Sequence, residues 1–238
     1  MIGTSKTIFT QEHFEAIKRY QSRMANNVVA YDVIDARSIR YVVGVDVAYK
    51  GDTAFAVAVM VDRLDGSIVC EHGSISKVYI PYMPGLLFLR EGAPMLRALM
   101  GLIKSIGRVD ECIILVDGNG MLHPRLFGLA CYIGIIIDKP TIGVSKSLLC
   151  GTIHHRNGHT AVMLEGKEVA RVIGYNNKQF YISIGHKIGL DSAESIVRSL
   201  IYCRVREPLS STSLLAEPEP LRLAHNAANS LRRSQTLP

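Results

Sequence analysis

The run from Ile113 to Asp117 carries the strongest chemical signal in the sequence. Four apolar residues end in a carboxylate, and a Gly-Asn-Gly loop follows directly. The run predicts a buried strand whose carboxyl end presents Asp117 beside a loop open to a ligand. An isolated buried charge is very costly, so this carboxylate needs a cation, a hydrogen-bond donor or water. An Asx turn with the neighbouring glycines is the alternative interpretation.

Two further carboxylates occupy positions where a free charge is unexpected. Asp46 interrupts an apolar strand-like run, and Glu91 lies near the start of a helical pattern. Asp46 could simply face solvent, and Glu91 could simply complement the helix dipole. If both meet Asp117 at one end of a sheet, a cation must offset their repulsion. Oxygen ligands favour Mg²⁺ or Mn²⁺, which can activate water and stabilise a phosphodiester transition state.

The Pro-Tyr-Met-Pro-Gly segment at 81–85 could present an aromatic ring to a nucleic-acid base. Flanking prolines stiffen the turn, so Tyr82 could insert into a base stack and fill the gap left by an extruded nucleotide. A buried tyrosine beside a helix start is the simpler alternative. Glycine lets the main chain approach a ligand closely. Glycines recur around the expected site at Gly85, Gly118, Gly120, Gly128 and Gly143.

Two basic side chains are ambiguous by themselves. Lys146 follows a short strand-like run and could contact a phosphate, although an exposed lysine is the common case. His225 lies in a basic helical segment near the end of the chain. The histidines of segment 154–159 lack a convincing metal-ligand spacing, so we interpret that segment as a solvated loop.

The order of secondary-structure patterns predicts the element that positions each of these side chains. Three strands separated by Gly/Asp turns form an antiparallel meander. Helices then alternate with strands, which predicts parallel strands joined by right-handed crossovers. This order is that of the ribonuclease H-like α/β fold, a mixed central sheet flanked by helices. The predicted helices span 11–26, 86–106, 124–137, 190–203 and a segment from 221. The predicted strands span 41–49, 53–62, 67–79, 112–116, 141–144 and two or three runs within 160–184, and 206–220 is a loop.

Length and composition bound the class of protein. The 238 residues, 48% of them apolar, suit one domain over 1–233 with a short flexible tail at 234–238. The longest uncharged apolar run, 126–137, is shorter than the roughly 20 residues that span a bilayer. Without a signal-peptide pattern either, we expect a cytoplasmic protein with no membrane partner. The cysteines form no C-x-x-C pair, and the net charge of +6 suits nucleic acid.

Taken together, the motifs resemble the endonuclease V family, the deoxyinosine 3′ endonucleases, over about residues 12–233. The resemblance implies the ribonuclease H-like fold and Mg²⁺-dependent hydrolysis, with Mn²⁺ also supporting activity. Its substrate would be DNA or RNA containing inosine, the product of adenine deamination, in a DNA-repair role. Cleavage would fall at the second phosphodiester 3′ to the lesion and leave a 3′-hydroxyl and a 5′-phosphate. The matching segments are Gly44–Asp46, Pro81–Gly85, Arg90–Gly92, Asp117–Gly120, His123–Arg125, Pro140–Lys146 and Glu219–His225.

The resemblance also implies roles for individual residues. Asp46, Glu91 and Asp117 match the metal-binding carboxylates of the catalytic centre. Lys146 and His225 match a lysine near the cleaved strand and a histidine near the metal. The residues that it assigns to substrate binding are Tyr82 as the wedge, Gly85, Leu87, Gly118, Gly120, Gly128 and Gly143 around the base pocket, and His123 and Arg125 of the Asp117 motif.

Two departures from the family pattern bear on these roles. Tyr132 stands where the family commonly has histidine, and segment 207–213 lengthens the approach to Glu219. The longer loop could change how His225 is placed. Three other functions remain open: a non-catalytic nucleic-acid binder, an inosine-specific ribonuclease, and another ribonuclease H-like nuclease, although the 81–85 loop argues against the last. The sequence leaves open one metal ion or two, and we expect a monomer.

Overall fold

The computed structural model describes residues 10–107, 110–156, 158–175, 178–202 and 217–235, in which nine strands form one mixed sheet accompanied by five α-helices. A short 3₁₀ helix, Ala25–Asn27, follows the first helix. In chain order the elements are α1 (Gln11–Met24), β1 (Tyr41–Lys50), β2 (Thr53–Asp62), β3 (Ile68–Lys77), α2 (Leu87–Ile106), β4 (Cys112–Asp117), α3 (Leu129–Ile137), β5 (Thr141–Ser145), β6 (Thr152–Arg156), β7 (His159–Leu164), β8 (Lys167–Tyr175), β9 (Lys178–His186), α4 (Leu190–Tyr202) and α5 (Glu219–Ser234).

The strand order is β3-β2-β1-β4-β5-β9-β8-β7-β6. β1, β2 and β3 pair antiparallel, and β1, β4 and β5 pair parallel. The predicted meander followed by parallel strands is therefore confirmed, as is the mixed α/β class. None of the helices within the described ranges is long and apolar enough to cross a membrane.

The helix predicted for 124–137 begins later, at Leu129. The preceding residues form a turn in which Leu126 has a positive φ of 52°. Gly128 is extended, and its N–H donates to the carbonyl of Gly120. The segment predicted as one helix therefore forms a turn followed by a helix, and hydrophobicity alone does not mark the boundary between them.

Segment 154–159 was predicted to be a loop, but residues 154–156 belong to β6 and His159 begins β7. β6 is exposed along its whole length at the edge of the sheet, so no apolar alternation marks it as a strand. The predicted 206–220 loop falls largely outside the described residues, and its end, from Glu219, is already the first turn of α5. The remaining predicted bounds differ from the structure by two residues at most.

Strand alternation places Asp46 and Asp117 on one face of the sheet. Val45 of β1 pairs with Val116 of β4 in parallel register. Asp46 and Asp117, the residues that follow them, therefore lie side by side on adjacent strands. Val45 and Val116 pack in the core beneath α2 and α3. Successive strand residues point to opposite faces, so both carboxylates face the side covered by α4 and α5.

Gly44 allows α5 to begin directly on β1. A Cβ atom at Gly44 would lie 2.1 Å from the carbonyl oxygen of Pro220, at the first turn of α5. Further along, Ala224 and Ala228 pack on β2 side chains. The close approach at Gly44 thus sets the height at which α5, with His225, passes over Asp46.

Replacing Gly44 with alanine should destabilise the protein by about 1–3 kcal/mol, the usual cost of overpacking a core. The obstructing atoms belong to main chain and cannot rotate away, so α5 must lift from the sheet. Urea unfolding of both proteins measures the loss. Because alanine is otherwise the better strand residue, equal or greater stability of the variant would show that α5 does not depend on this contact.

Candidate active site

Asp46, in the middle of β1, is held by two donors. Only 8% of its surface is exposed. Its carboxylate accepts the Val47 N–H at 2.7 Å and lies 2.7 Å from Nδ1 of His225. Nε2 of that histidine lies 3.0 Å from the amide nitrogen of Asn229, which can only donate. Nδ1 therefore carries the proton and donates it to Asp46, so His225 orients this carboxylate.

Lys146 bridges two carboxylates at the end of β5. Its Nζ lies 2.7 Å from Oε1 of Glu217 and 3.7 Å from Oδ2 of Asp117. The structure thus places Lys146 beside Asp117 and adds Glu217, which sequence analysis did not single out. Glu217 is separated from both partners by many residues in the chain and follows segment 203–216, so no local spacing indicates the contact.

The three predicted carboxylates interact electrostatically. Burial, followed by the charges of Asp46 and Asp117, raises the pKa of Glu91 to about 8. Burial and the charge of Asp46 raise the pKa of Asp117 to about 6, against the opposing effect of Lys146. Burial also raises the pKa of Asp46. The charges of Asp46 and Asp117 thus act on Glu91, and the charge of Asp46 acts on Asp117. These three side chains are termed the carboxylate cluster below.

The donor chemistry of the carboxylate cluster fits a hard divalent cation. Within the described part of the chain, no group of three or more His, Cys, Asp or Glu side chains is arranged so that it could hold a metal ion by itself. Mg²⁺ commonly binds through only one or two carboxylates, with water and substrate phosphates as its other ligands. An open set of mutually repelling carboxylates meets that requirement.

Without metal, the stability of the protein should fall as pH rises from about 4.5 to about 8. The pKa of Glu91 is raised from 4.5 to about 8 by burial and neighbouring carboxylates, so the folded state retains a proton that the unfolded chain releases. The favourable contribution is complete below 4.5 and is lost as pH passes through 8. Thermal melts across this range should show the decline, and Mg²⁺ should raise the melting temperature most at the alkaline end.

Glu91→Gln is the matched control for this pH dependence. It keeps the size of the side chain and removes the titrating proton, so its melting temperature should decline less with pH. If both proteins show the same decline, Glu91 is not its source.

A small cavity of about 60 Å³ is lined by residues close in the chain to Glu91 and Asp117. Tyr82 stands at it with 65% of its surface exposed, which excludes the buried-tyrosine interpretation. Asn119 follows the Asp117 strand, and Phe88 lies one helical turn before Glu91, so both cavity and cluster share β4 and α2. The lining residues are Gln21, Tyr82, Gly85, Leu87, Phe88, Asn119, His123, Gly128, Leu129 and Leu149.

Of the five glycines predicted to surround the base pocket, Gly85 and Gly128 line the cavity and the other three do not. Gly118, Gly120 and Gly143 are not among its lining residues. A Cβ at Gly143 would lie 2.4 Å from the nitrogen of Gly120, and one at Gly120 would lie 2.0 Å from the carbonyl oxygen of Ile184. These two glycines allow the loop after β4 to pack against β5 and β9. Arg125 does not line the cavity either, and its guanidinium donates a hydrogen bond to the carbonyl of Gly85.

Five lining residues were not predicted from the sequence as site residues: Gln21, Phe88, Asn119, Leu129 and Leu149. Asn119 lies within the Asp117 motif, and its side chain accepts a hydrogen bond from Ser145 at 2.8 Å. Gln21 and Leu149 arrive from α1 and from the loop after β5, and only the tertiary fold reveals them. Tyr132, the departure from the family pattern, packs on Phe88 with ring centroids 5.3 Å apart.

Comparison with known proteins agrees with this arrangement. The family profile described as Endonuclease V matches residues 22–226. An endonuclease V from Thermofilum pendens is 40% identical over 222 residues, which cover 92% of this chain and 89% of the relative. The endonuclease V structure from Streptomyces avermitilis has a TM-score of 0.77 and 28% identity over 97% of this chain and 96% of its own.

A Ciona intestinalis endonuclease V, solved in complex with a 24mer DNA containing an inosine followed by a ribo-adenosine, has a TM-score of 0.80. It is 22% identical and covers 95% of this chain and 100% of its own, so it supports the fold alone. The profile and the Thermofilum relative both span most of the sequence. On these grounds, this chain belongs to the endonuclease V family.

Proposed function

We propose that this protein is a divalent-metal-dependent endonuclease that recognises inosine in nucleic acid and hydrolyses the second phosphodiester bond on its 3′ side. The observation that carries the proposal is the shared framework of the carboxylate cluster and the cavity. α2 supplies Phe88 to the cavity and Glu91 to the cluster, and the β4 end supplies Asn119 and Asp117. A base bound in the cavity therefore sets the position of the neighbouring backbone over the carboxylates.

The carboxylates would hold Mg²⁺ or Mn²⁺, with Asp46 and Asp117 as ligands from adjacent strands and Glu91 supporting the ion or its water. When bound, such a cation activates water and stabilises charge on the phosphate. His225 keeps the Asp46 carboxylate oriented through their hydrogen bond. Lys146, next to Asp117, supplies a positive charge for the phosphate or the departing 3′-oxygen.

The cavity would take the extruded base, and Tyr82 would fill the space that the base leaves in the stack. α2 begins at Leu87 without a side-chain cap, which leaves N–H donors of the first turn for a ligand. Such donors suit the C6 carbonyl of hypoxanthine. Inosine is also the substrate that the family resemblance implies, and the Ciona protein of the same fold was solved with DNA containing inosine.

The direct test is cleavage of matched single-stranded DNA and RNA that carry one inosine, with the cut position mapped. We expect Mg²⁺-dependent scission at the second phosphodiester 3′ to inosine, leaving a 3′-hydroxyl and a 5′-phosphate. A mobility shift without scission in Mg²⁺ or Mn²⁺ would identify a non-catalytic binder instead. Cleavage confined to the RNA strand would identify an inosine-specific ribonuclease and remove the DNA-repair role.

A further inference from the structure

One main-chain carbonyl at the cavity accepts an unusual number of side-chain donors. The carbonyl oxygen of Gly85 lies 2.8 Å from Nη2 of Arg125, 2.9 Å from Nε2 of His123 and 3.2 Å from Nε2 of Gln21. Most carbonyl groups of a surface turn are hydrogen-bonded by water. Three side-chain donors on one carbonyl instead indicate that the peptide group after Gly85 is held in one orientation.

Gln21 connects this carbonyl to the opposite side of the cavity. The side chain comes from α1 and is fully buried, with 0% exposure. Its Nε2 donates to the carbonyl of Gly85 at 3.2 Å and to that of Phe127 at 2.9 Å. Its Oε1 accepts from Nε of Arg125 at 2.7 Å. The carbonyls only accept and the guanidinium only donates, so these partners fix the orientation of the amide.

His123 and Arg125 reinforce the same junction. The main-chain N–H of Arg125 donates to Nδ1 of His123 at 3.2 Å, so Nε2 bears the proton that is donated to Gly85. Burial lowers the pKa of His123 to about 4, which keeps this ring neutral. The two motif residues therefore hold the main chain and stand apart from the carboxylate cluster.

The main chain at Gly85 admits little adjustment. Gly85 has φ of 74°, a region that favours glycine, and a Cβ there would lie 3.1 Å from Nη2 of Arg125. The next N–H, of Leu86, donates to the carbonyl of Met83 at 3.0 Å. With both ends of that peptide bonded, the N–H groups on either side of it have fixed directions relative to the cavity.

We propose that Gln21 is a specificity-positioning residue that sets the width and main-chain orientation of the base pocket by bridging the carbonyls of Gly85 and Phe127. Gly85 and Gly128, the neighbour of Phe127, both line the cavity. A pocket of fixed width excludes the 2-amino group of guanine, and fixed N–H donors disfavour the 6-amino group of adenine. This inference rests on the proposed function, since it concerns selection of the base that the enzyme cuts.

The test compares cleavage of strands carrying inosine, guanine or adenine at one position by the wild type and by Gln21→Leu. The variant removes the hydrogen-bonding amide and puts an apolar side chain of similar volume in its place. We expect the ratio of kcat/KM for inosine over guanine to fall about tenfold or more, the scale of a lost hydrogen bond. kcat on saturating inosine substrate should change much less, because the carboxylate cluster is untouched.

Leu102→Ala is the control for lost stability, since Leu102 is buried in the α2 core outside the cavity lining. It should destabilise the protein and leave the inosine-to-guanine ratio unchanged. Gln21→Asn, which keeps the amide but is too short to span both carbonyls, replaces Gln21→Leu if the latter fails to fold, and it should show the same loss of selectivity.

The possible failures are distinguishable. If the wild type does not cut inosine strands, the proposed function is wrong. If the wild type is selective and the Gln21 variants keep that selectivity, or lose all activities in equal proportion, Gln21 has only a structural role and the inference is overturned.

Discussion

Replacing Asp117 with asparagine should lower Mg²⁺-dependent cleavage by about three orders of magnitude. A catalytic cation contributes several kcal/mol to stabilising the transition state, and each 1.36 kcal/mol is tenfold in rate. The amide that replaces the carboxylate would keep the shape of the side chain but lose the negative charge that attracts the cation. The expected loss lies in kcat, measured on saturating inosine-containing DNA.

The same substitution should leave the metal-free fold as stable or more stable. The pKa of Asp117 is raised to about 6 by burial and the charge of Asp46, so removing its charge relieves repulsion in the folded state. Asp65→Asn is the matched control, because Asp65 lies in the exposed turn between β2 and β3, at the opposite end of the sheet. It should cleave at the wild-type rate. Full activity of Asp117→Asn in Mg²⁺ would remove Asp117 from the metal site.

The sequence was sufficient to predict the carboxylate pair because strand periodicity and topology both constrain it. One aspartate lies within the first strand of the meander and the other ends the first parallel strand, so their side chains can meet if the two strands are neighbours. β1 and β4 are neighbours, and the register brings Asp46 and Asp117 level. Glu91 joins them because α2 lies between these strands in the chain.

Other features of the site could not be read from local pattern. The hydrogen bonds of Gln21 reach residues 64 and 106 positions away, and its amide has no periodic or compositional signature. Glu217 reaches Lys146 across 71 positions. The β6 edge strand was missed because all of its residues are exposed, so it carries no alternation. The shared cause is that these contacts depend on tertiary packing, which single-sequence patterns do not specify.

The second large effect concerns the base itself. Hypoxanthine offers a carbonyl at C6 and a proton on N1, whereas adenine offers an amino group and a bare acceptor at the same positions. An N–H donor directed at the C6 position would bond the carbonyl of hypoxanthine and would repel the amino group of adenine. Sites built to hydrogen-bond one partner reject an analogue that cannot, by about 10⁴-fold or more. The wild-type ratio of kcat/KM for inosine over adenine should therefore approach that value.

Tyr82→Ala separates the pocket from the wedge in this prediction. With the ring gone, nothing fills the stack after the base is extruded, so cleavage of duplex DNA should fall more than cleavage of single strands, whose bases are already partly unstacked. The inosine-to-adenine ratio should stay high in the variant, because Tyr82 is largely exposed and the N–H donors belong to the main chain at the start of α2. Equal cleavage of inosine and adenine strands by the wild type would contradict base reading in this cavity. A loss of the ratio in Tyr82→Ala would instead assign the selection to the exposed ring.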